Sequence, residues 1–125
     1  LICILAGLAA CMHSQTEYSE IHLDGFSDSN YTSLNGNLGS PVCIRGRIQI
    51  ASMGIYFPLR PAEEDDVIDI GFSRILSGYS VDDPPQMRDG EVYTICGILR
   101  DATPFRRCDH NYCRWYNLSE PELKS

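Results

Sequence analysis

Residues 42–50 read VCIRGRIQI, and this stretch decides the fold class. Small or apolar residues alternate with cysteine, arginine and glutamine along it: Val42, Ile44, Gly46, Ile48 and Ile50 against Cys43, Arg45, Arg47 and Gln49. Successive side chains of a strand point to opposite faces of a sheet. The alternation therefore predicts a half-buried β-strand with one face against a core.

Four further segments carry strand signals: residues 55–59, 67–75, 91–100 and 113–118. Pro58 and Pro61 indicate that the first of these is short or lies at an edge. A connection rich in glycine, aspartate and proline, residues 77–90, separates the third strand from the fourth. Gly46 and Gly97 interrupt the apolar faces of the first and fourth strands, where glycine often marks a bend or bulge. We predict a mostly β domain, a small five-stranded OB-like barrel with a short helix or long loop between strands three and four.

The succession PVCIRGRI, MGIYFPL, VIDIGF, DGEVYTICGIL and CRWYNL covers residues 40–118. It resembles small exported bacterial proteins that have an OB-like fold and no assigned activity. Gly46, the pair Asp89-Gly90 and Gly97 carry this resemblance. It implies the fold alone and assigns no functional residue.

Residues 1–11, LICILAGLAAC, are apolar and uncharged. Such a stretch has the length of a signal-peptide core and is too short to cross a bilayer as a helix. Its end, Leu8-Ala9-Ala10-Cys11, resembles a bacterial lipobox, in which the cysteine is diacylated. We expect residues 1–11 to be a signal peptide whose basic beginning is missing here, with Cys11 as the lipid attachment site. An ordinary signal peptide that happens to contain a cysteine is the alternative.

The lipobox resemblance predicts an address and a domain organisation. Met12 follows the cysteine, and no aspartate stands there to indicate retention in the inner membrane. We expect an exported, membrane-anchored protein of the cell envelope that faces the periplasm, on the outer membrane in a diderm bacterium. Residues 12–39 are predicted to form a tether with a short helical turn that begins near Asp28. Residues 40–125 are predicted to form the β domain.

The charge of the chain limits its partners. Seventeen acidic residues outnumber ten basic ones among the 125, which gives a net charge of −7. Nonspecific nucleic-acid binding relies on Lys and Arg that neutralise phosphates, so the acidity argues against it. It argues equally against electrostatic adhesion to an anionic bilayer. We expect contact with a membrane through the lipid anchor, and an envelope protein or a glycan as further partner.

Four cysteines follow the leader: Cys43, Cys96, Cys108 and Cys113. An even number in an exported domain predicts two disulfides, with three possible connectivities. We favour Cys108–Cys113, which closes a short loop, together with Cys43–Cys96, which joins strands one and four. A zinc or copper site at Cys108, His110 and Cys113 is the alternative. A closed zinc site needs four ligands, and no second pair stands at a recognisable spacing. We therefore expect no metal and no cofactor.

Three other groups of residues have two interpretations each. The aromatic residues are either core or a binding face: Tyr56, Phe57, Tyr79, Tyr93, Trp115 and Tyr116. The arginines form a polar sheet face first and an anion or glycan contact second: Arg45, Arg47, Arg106, Arg107 and Arg114. The acidic run 63–66 is most simply a solvated loop, with a weak cation site as alternative. Residues 24–30 have a calcium-loop rhythm but lack the closing glutamate, which favours solvated tether.

Motifs of nucleophilic, zinc-dependent or phosphate-binding enzymes do not occur in the sequence. We therefore expect no enzyme. The predicted function is a non-catalytic cell-envelope lipoprotein whose OB-like domain binds a ligand or partner that the sequence does not name. A small-ligand or metal-binding exported module that uses Cys108 to Cys113 is the alternative.

Overall fold

Strands dominate the part of the chain that the computed structural model describes, residues 17–51, 54–61, 66–71, 87–105 and 114–124. The strands are β1 (Ser19–His22), β2 (Pro41–Arg47), β3 (Gln49–Ala51), β4 (Gly54–Pro58), β5 (Val67–Ile70), β6 (Val92–Asp101) and β7 (Trp115–Lys124). Helix α1 (Ser29–Asn35) and a 3₁₀ turn (Thr103–Phe105) complete the elements. The predicted mostly β class is confirmed.

One seven-stranded sheet holds all the strands of the described residues, in the order β1-β2-β6-β7-β5-β4-β3. Strands β1 and β2 are parallel, as are β5 and β7, and the other neighbours are antiparallel. The sheet is not closed, so a five-stranded barrel is the wrong description. Two differences raise the number of strands from five to seven. Strand β1 is an additional edge strand. The predicted first strand divides into β2 and β3 at Ile48, whose backbone forms hydrogen bonds with Gly90 and Glu91 at 3.0 Å each.

The sheet is strongly curled. Strands β2 and β3 are separated in sequence by Ile48 alone, yet four strands lie between them in the sheet order. In a flat sheet they would be about 24 Å apart, at about 4.8 Å per strand spacing. A single residue spans only about 3.5 Å. The sheet must therefore curl until β2 and β3 meet end to end.

The core lies on the inner side of this curl. Register pairs Ile44 of β2 with Ile95 of β6, and both side chains are fully buried. The inward residues are those that alternation predicted, and they are joined by Leu34 of α1. Fully buried members of the core include Val42, Ile44, Phe57, Leu59, Ile68, Ile70, Ile95, Leu99 and Leu118.

Gly97 lies opposite a β-bulge, as the sequence predicted. Cys96 pairs with Glu122 while Ile98 pairs with Ser119, so β7 carries one additional residue between these pairs. Within the bulge Glu120 has a φ of 52°, in the left-handed region that favours glycine. A Cβ atom added to Gly97 would lie 2.6 Å from the carbonyl oxygen of Ser119. The bulge therefore requires the absence of a side chain at position 97.

The described part of the predicted tether, residues 17–39, belongs to the folded domain instead. Strand β1 pairs with β2, and Ile21 of β1 is 3% exposed. The predicted helical turn is present as α1, and its Leu34 is fully buried. The side chain of Asn30 accepts the N–H of Asp24 and donates to the carbonyl of Gly25, at 3.1 Å each. The stretch with a calcium-loop rhythm is thus a hydrogen-bonded turn that leads into α1.

Several predicted features lie outside the described residues, namely Cys11 with its leader, residues 12–16 of the tether, residues 72–86, Arg106, Arg107, and the segment with Cys108, His110 and Cys113. Where the structure does describe the chain, none of its helices has the length and apolar character needed to cross a membrane.

Candidate functional site

A row of polar residues crosses the outer face of the sheet. His22 of β1 is the register partner of Arg45 of β2, and Arg45 is the partner of Thr94 of β6. Thr94 is in turn the partner of Lys124 of β7. We call these four residues the outer row. Because adjacent strands lie about 4.8 Å apart, the row extends over about 14 Å.

Arg47 extends this positive surface along β2. It stands two residues after Arg45 on the same face, about 7 Å away along the strand. Its guanidinium donates to the carbonyl of Gly90, and that of Arg45 donates to the Thr94 hydroxyl at 3.3 Å. A guanidinium has five N–H donors, so one neutral acceptor leaves most of them for a ligand. Both arginines are therefore oriented by the sheet and keep N–H donors for a ligand.

Two cavities open beside the outer row. A cavity of about 500 Å³ lies over the end of β2, and a second of about 390 Å³ adjoins it toward β7. The two cavities share His22, Arg45 and Val92 among their lining residues. Each volume is within the range of about 300–1,000 Å³ that is usual for ligand pockets. Each of the four residues of the outer row therefore lines at least one of the two cavities.

Apolar groups line the first cavity beside the arginines. Phe26 is 48% exposed and Val92 is 40% exposed, although both are large hydrophobic residues. Leu23 packs over Gly46, where an added Cβ would lie only 2.9 Å from the Leu23 side chain. The site thus offers guanidinium groups and apolar surface to the same ligand.

The charge of this face differs from that of the whole chain. Among the described residues that line the first cavity, the charged or titratable ones are His22, Arg45 and Arg47, and none is a carboxylate. The neighbouring row along the strands ends in Glu20 on one side and Glu122 on the other. A protein of net charge −7 therefore presents a bounded positive patch at the mouth of a cavity.

A disulfide fixes the sheet next to the outer row. Cys43 and Cys96 are bonded to each other, as predicted, and are direct register partners on β2 and β6. They are 4% and 6% exposed and stand two residues from Arg45 and Thr94. The covalent link holds these two strands at a fixed spacing beside the positive patch.

A second polar cluster ties α1 to the sheet. Asp66 is 3% exposed, and its carboxylate accepts the Tyr31 hydroxyl and, at 2.7 Å, the backbone N–H of Arg114. Arg60 donates to the Tyr31 hydroxyl at 3.2 Å, lies over its ring and pairs with Asp28. Burial and the hydrogen bond to Asp66 raise the pKa of Tyr31 well above its usual range. The prediction of a solvated acidic loop is therefore wrong for Asp66, which is buried because these donors satisfy its carboxylate.

The aromatic residues do not form one binding face. Phe57 and Tyr116 are buried in the core, with 0% and 1% exposure. Tyr56 and Trp115 contact each other edge to face, with ring centroids 5.7 Å apart, on the strands around β5. Tyr93 lines the second cavity, and Tyr79 is outside the described residues. The core interpretation is confirmed for Phe57 and Tyr116.

Sequence reasoning identified part of the positive patch and missed the rest. It grouped Arg45 and Arg47 as a polar face with anion or glycan contact as the second interpretation, and the structure places both on one face. Arg114 lies elsewhere, at the start of β7 beside Asp66. His22 and Lys124 were missed, because the first lay in the predicted tether and the second beyond the predicted end of the last strand.

Within the described part of the chain, no three His, Cys, Asp or Glu side chains are grouped so that they could hold a metal ion. Comparison of the chain with protein-family models, with curated proteins and with solved structures gave no match.

Proposed function

We propose that the protein is a non-catalytic lipoprotein of the cell envelope whose β domain binds a ligand on the outer row. The observation that carries the binding role is the pair of adjoining cavities that share His22, Arg45 and Val92. The leader LICILAGLAAC supports the address, with Cys11 as the lipidated residue. The anchored protein faces the periplasm, on the outer membrane if the source is diderm.

An open, OB-like arrangement is the architecture that we infer for this domain. The continuous segment of β2 and β3 serves as one long strand that pairs with β6 through its first part and with β4 through its second. Strands β5 and β7 lie parallel beside each other. OB folds are partly open barrels that present a strand face and adjoining loops to oligosaccharides and oligonucleotides. Strand β1 is an addition at the edge of this arrangement.

A binding role suits the way in which the site is held. Arg45 and Thr94 stand on paired strands, and the Cys43–Cys96 disulfide lies next to them. Groups on rigid strands keep their geometry better than groups on loops, which reduces the entropy lost when a ligand is bound. The outer row is therefore a preorganised surface for recognition.

The anchor is tested by fractionation of the gene product, with its native leader, from a bacterial host. Wild type is expected in the membrane fraction with a diacylated cysteine in its mass spectrum. Cys11→Ala is expected in the soluble exported fraction, because the attachment sulfur is gone. Cys3→Ala, in the same apolar leader, is the matched control and is expected to remain anchored. Membrane association of Cys11→Ala would overturn the anchor.

A further inference from the structure

We propose that the outer row and the first cavity bind an acidic polysaccharide, with one sugar carboxylate held between Arg45 and Arg47. This inference deepens the proposed function and rests on it for the binding face. Four properties of that face support it, namely its charge, its extent, its apolar rim and the carboxylates at its borders.

The positive charge of the face favours an anionic ligand. Arg45 and Arg47 project from one strand face about 7 Å apart, each with N–H donors beyond its neutral partner. The planar guanidinium matches a carboxylate in a bidentate pair. Lys124 extends the positive surface on the β7 side, and His22 adds an imidazole on the β1 side. Because the protein as a whole has a net charge of −7, the attraction of an anionic ligand is confined to this patch.

The length of the outer row and its two cavities favour a polymeric ligand. The two cavities adjoin through His22, Arg45 and Val92, and the outer row is about 14 Å long. A single small anion would occupy only the space between two cationic side chains. A chain of sugars fills both cavities and brings successive anionic groups to Arg45 and toward Lys124.

Among anionic polymers, a polysaccharide is favoured by the apolar rim of the first cavity and by the hydroxyl and carboxylate groups of the second. The exposed ring of Phe26 and the side chain of Val92 offer a surface for the C–H face of a pyranose ring. The Thr94 hydroxyl and the Glu20 carboxylate line the second cavity, where they match sugar hydroxyl groups. The Glu20 carboxylate can accept hydrogen bonds from sugar hydroxyl groups. A phosphodiester backbone offers few hydroxyl groups to Thr94 and Glu20 and is therefore a poorer match.

Titration calorimetry of the full exported chain in mild detergent, whether or not Cys11 carries lipid, tests the proposal. The probe is hexagalacturonate, and the comparison probes are cellohexaose, hexaglutamate, inorganic phosphate and a thymidylate hexamer. We expect saturable binding of hexagalacturonate and at least about tenfold weaker binding of each comparison probe. Charge-assisted hydrogen bonds and the apolar contacts both contribute to that margin.

Variants locate the site. Arg45→Gln and Arg47→Gln are each expected to weaken hexagalacturonate binding about tenfold, because each loses a charged hydrogen-bonding partner. Phe26→Ala is expected to weaken it about fivefold through lost ring contact. Arg100→Gln is the matched control, an exposed arginine on β6 outside both cavities, and is expected to stay within about twofold. All four residues are exposed, so urea midpoints near that of wild type are expected, and they are measured for each variant.

Each contrary outcome overturns the proposal in its own way. Equal binding of hexaglutamate would mean that the face recognises charge alone. Tighter binding of the thymidylate hexamer would make it a nucleic-acid site, and equal binding of phosphate would make it a small-anion site. Binding of hexagalacturonate that Arg45→Gln leaves unchanged would place the sugar elsewhere. If none of the probes bound, the proposal of an acidic polysaccharide ligand would be wrong. The fractionation of Cys11→Ala would still test the lipid anchor independently.

Discussion

Replacement of Gly97 by alanine is expected to destabilise the domain, because β6 approaches the bulge of β7 without a side chain at this position. The added Cβ would lie 2.6 Å from the carbonyl oxygen of Ser119 and 3.0 Å from Cγ of Leu118. The first neighbour is backbone within a strand, so it cannot turn away as the end of a side chain can. The two strands must separate locally or the bulge must change its shape.

The magnitude follows from two opposing effects. Overpacking of this kind costs about 1–3 kcal/mol. The unfolded chain loses conformational freedom when glycine becomes alanine, which returns about 0.5–1 kcal/mol to the folded state. The difference spans about 0–2.5 kcal/mol, and because the contact at 2.6 Å is with backbone a loss of about 1–2 kcal/mol is expected. With a urea m-value of about 2 kcal/mol/M, the unfolding midpoint falls by roughly 0.5–1 M.

Urea unfolding followed by circular dichroism measures this change, and two glycines provide controls. At Gly46 an added Cβ would lie 2.9 Å from Cδ1 of Leu23 and 3.2 Å from Cδ1 of Phe57, both side-chain atoms, so Gly46→Ala is expected to cost less. At Gly36, with a φ of −74°, the nearest atom is the Thr32 carbonyl oxygen at 3.3 Å. Gly36→Ala is expected to shift the midpoint little. A Gly97→Ala protein as stable as wild type would refute the reasoning about the bulge.

Three further outcomes concern the disulfide and the buried polar cluster. Replacement of Cys43 and Cys96 by alanine is expected to lower the free energy of unfolding by about 4 kcal/mol, since the bond closes a separation of 53 residues; equal urea midpoints for the two proteins would contradict this. Tyr31→Phe is expected to cost about 1–3 kcal/mol, because buried Asp66 loses a hydrogen bond, and an unchanged thermal midpoint would show that the bond is dispensable. Because the pKa of Tyr31 is raised in the folded protein, the stability that its protonated hydroxyl contributes is complete below about pH 10 and is lost as the pH rises toward the pKa of the folded state. Wild type is therefore expected to lose stability more steeply than Tyr31→Phe above about pH 10. Parallel profiles of stability against pH for the two proteins would contradict this.

The sequence predicted those parts of the fold that local alternation encodes. The inward residues of β2, β4 and β6 follow a period of two, so their burial was readable from the residues alone. The disulfide between Cys43 and Cys96 followed from the same reasoning, because both lie off the apolar face of strands expected to be neighbours. Gly97 was also informative, since glycine within a strand marks a bulge more often than it strengthens the strand.

Other features depend on contacts that no local pattern contains. Strand β1 has four residues, of which Ile21 alone is buried, so its alternation is too short to be recognised. The division of the first strand at Ile48 depends on bonds from Gly90 and Glu91, about 40 residues away. Asp66 was expected in solvent because its donors, Tyr31 and the Arg114 N–H, come from distant elements.

The candidate site shows the same limit. Arg45 and Arg47 were recognisable as a polar strand face, but a strand face alone does not distinguish a solvated surface from a binding surface. His22 and Lys124 join them only through the register of four strands from both ends of the chain. The alternative site at Cys108, His110 and Cys113 stays a prediction, since it lies outside the described residues.

Chemical-shift mapping of hexagalacturonate on the ¹⁵N-labelled protein tests the central claim most directly. The expected result is a set of shifted backbone amides confined to residues 20–26, 45–47 and 92–94, with saturation as the ligand is added. These three segments contain most of the residues that line the two cavities, including the shared His22, Arg45 and Val92. Shifts centred on Tyr56 and Trp115, or no saturable shifts at all, would contradict binding at the outer row.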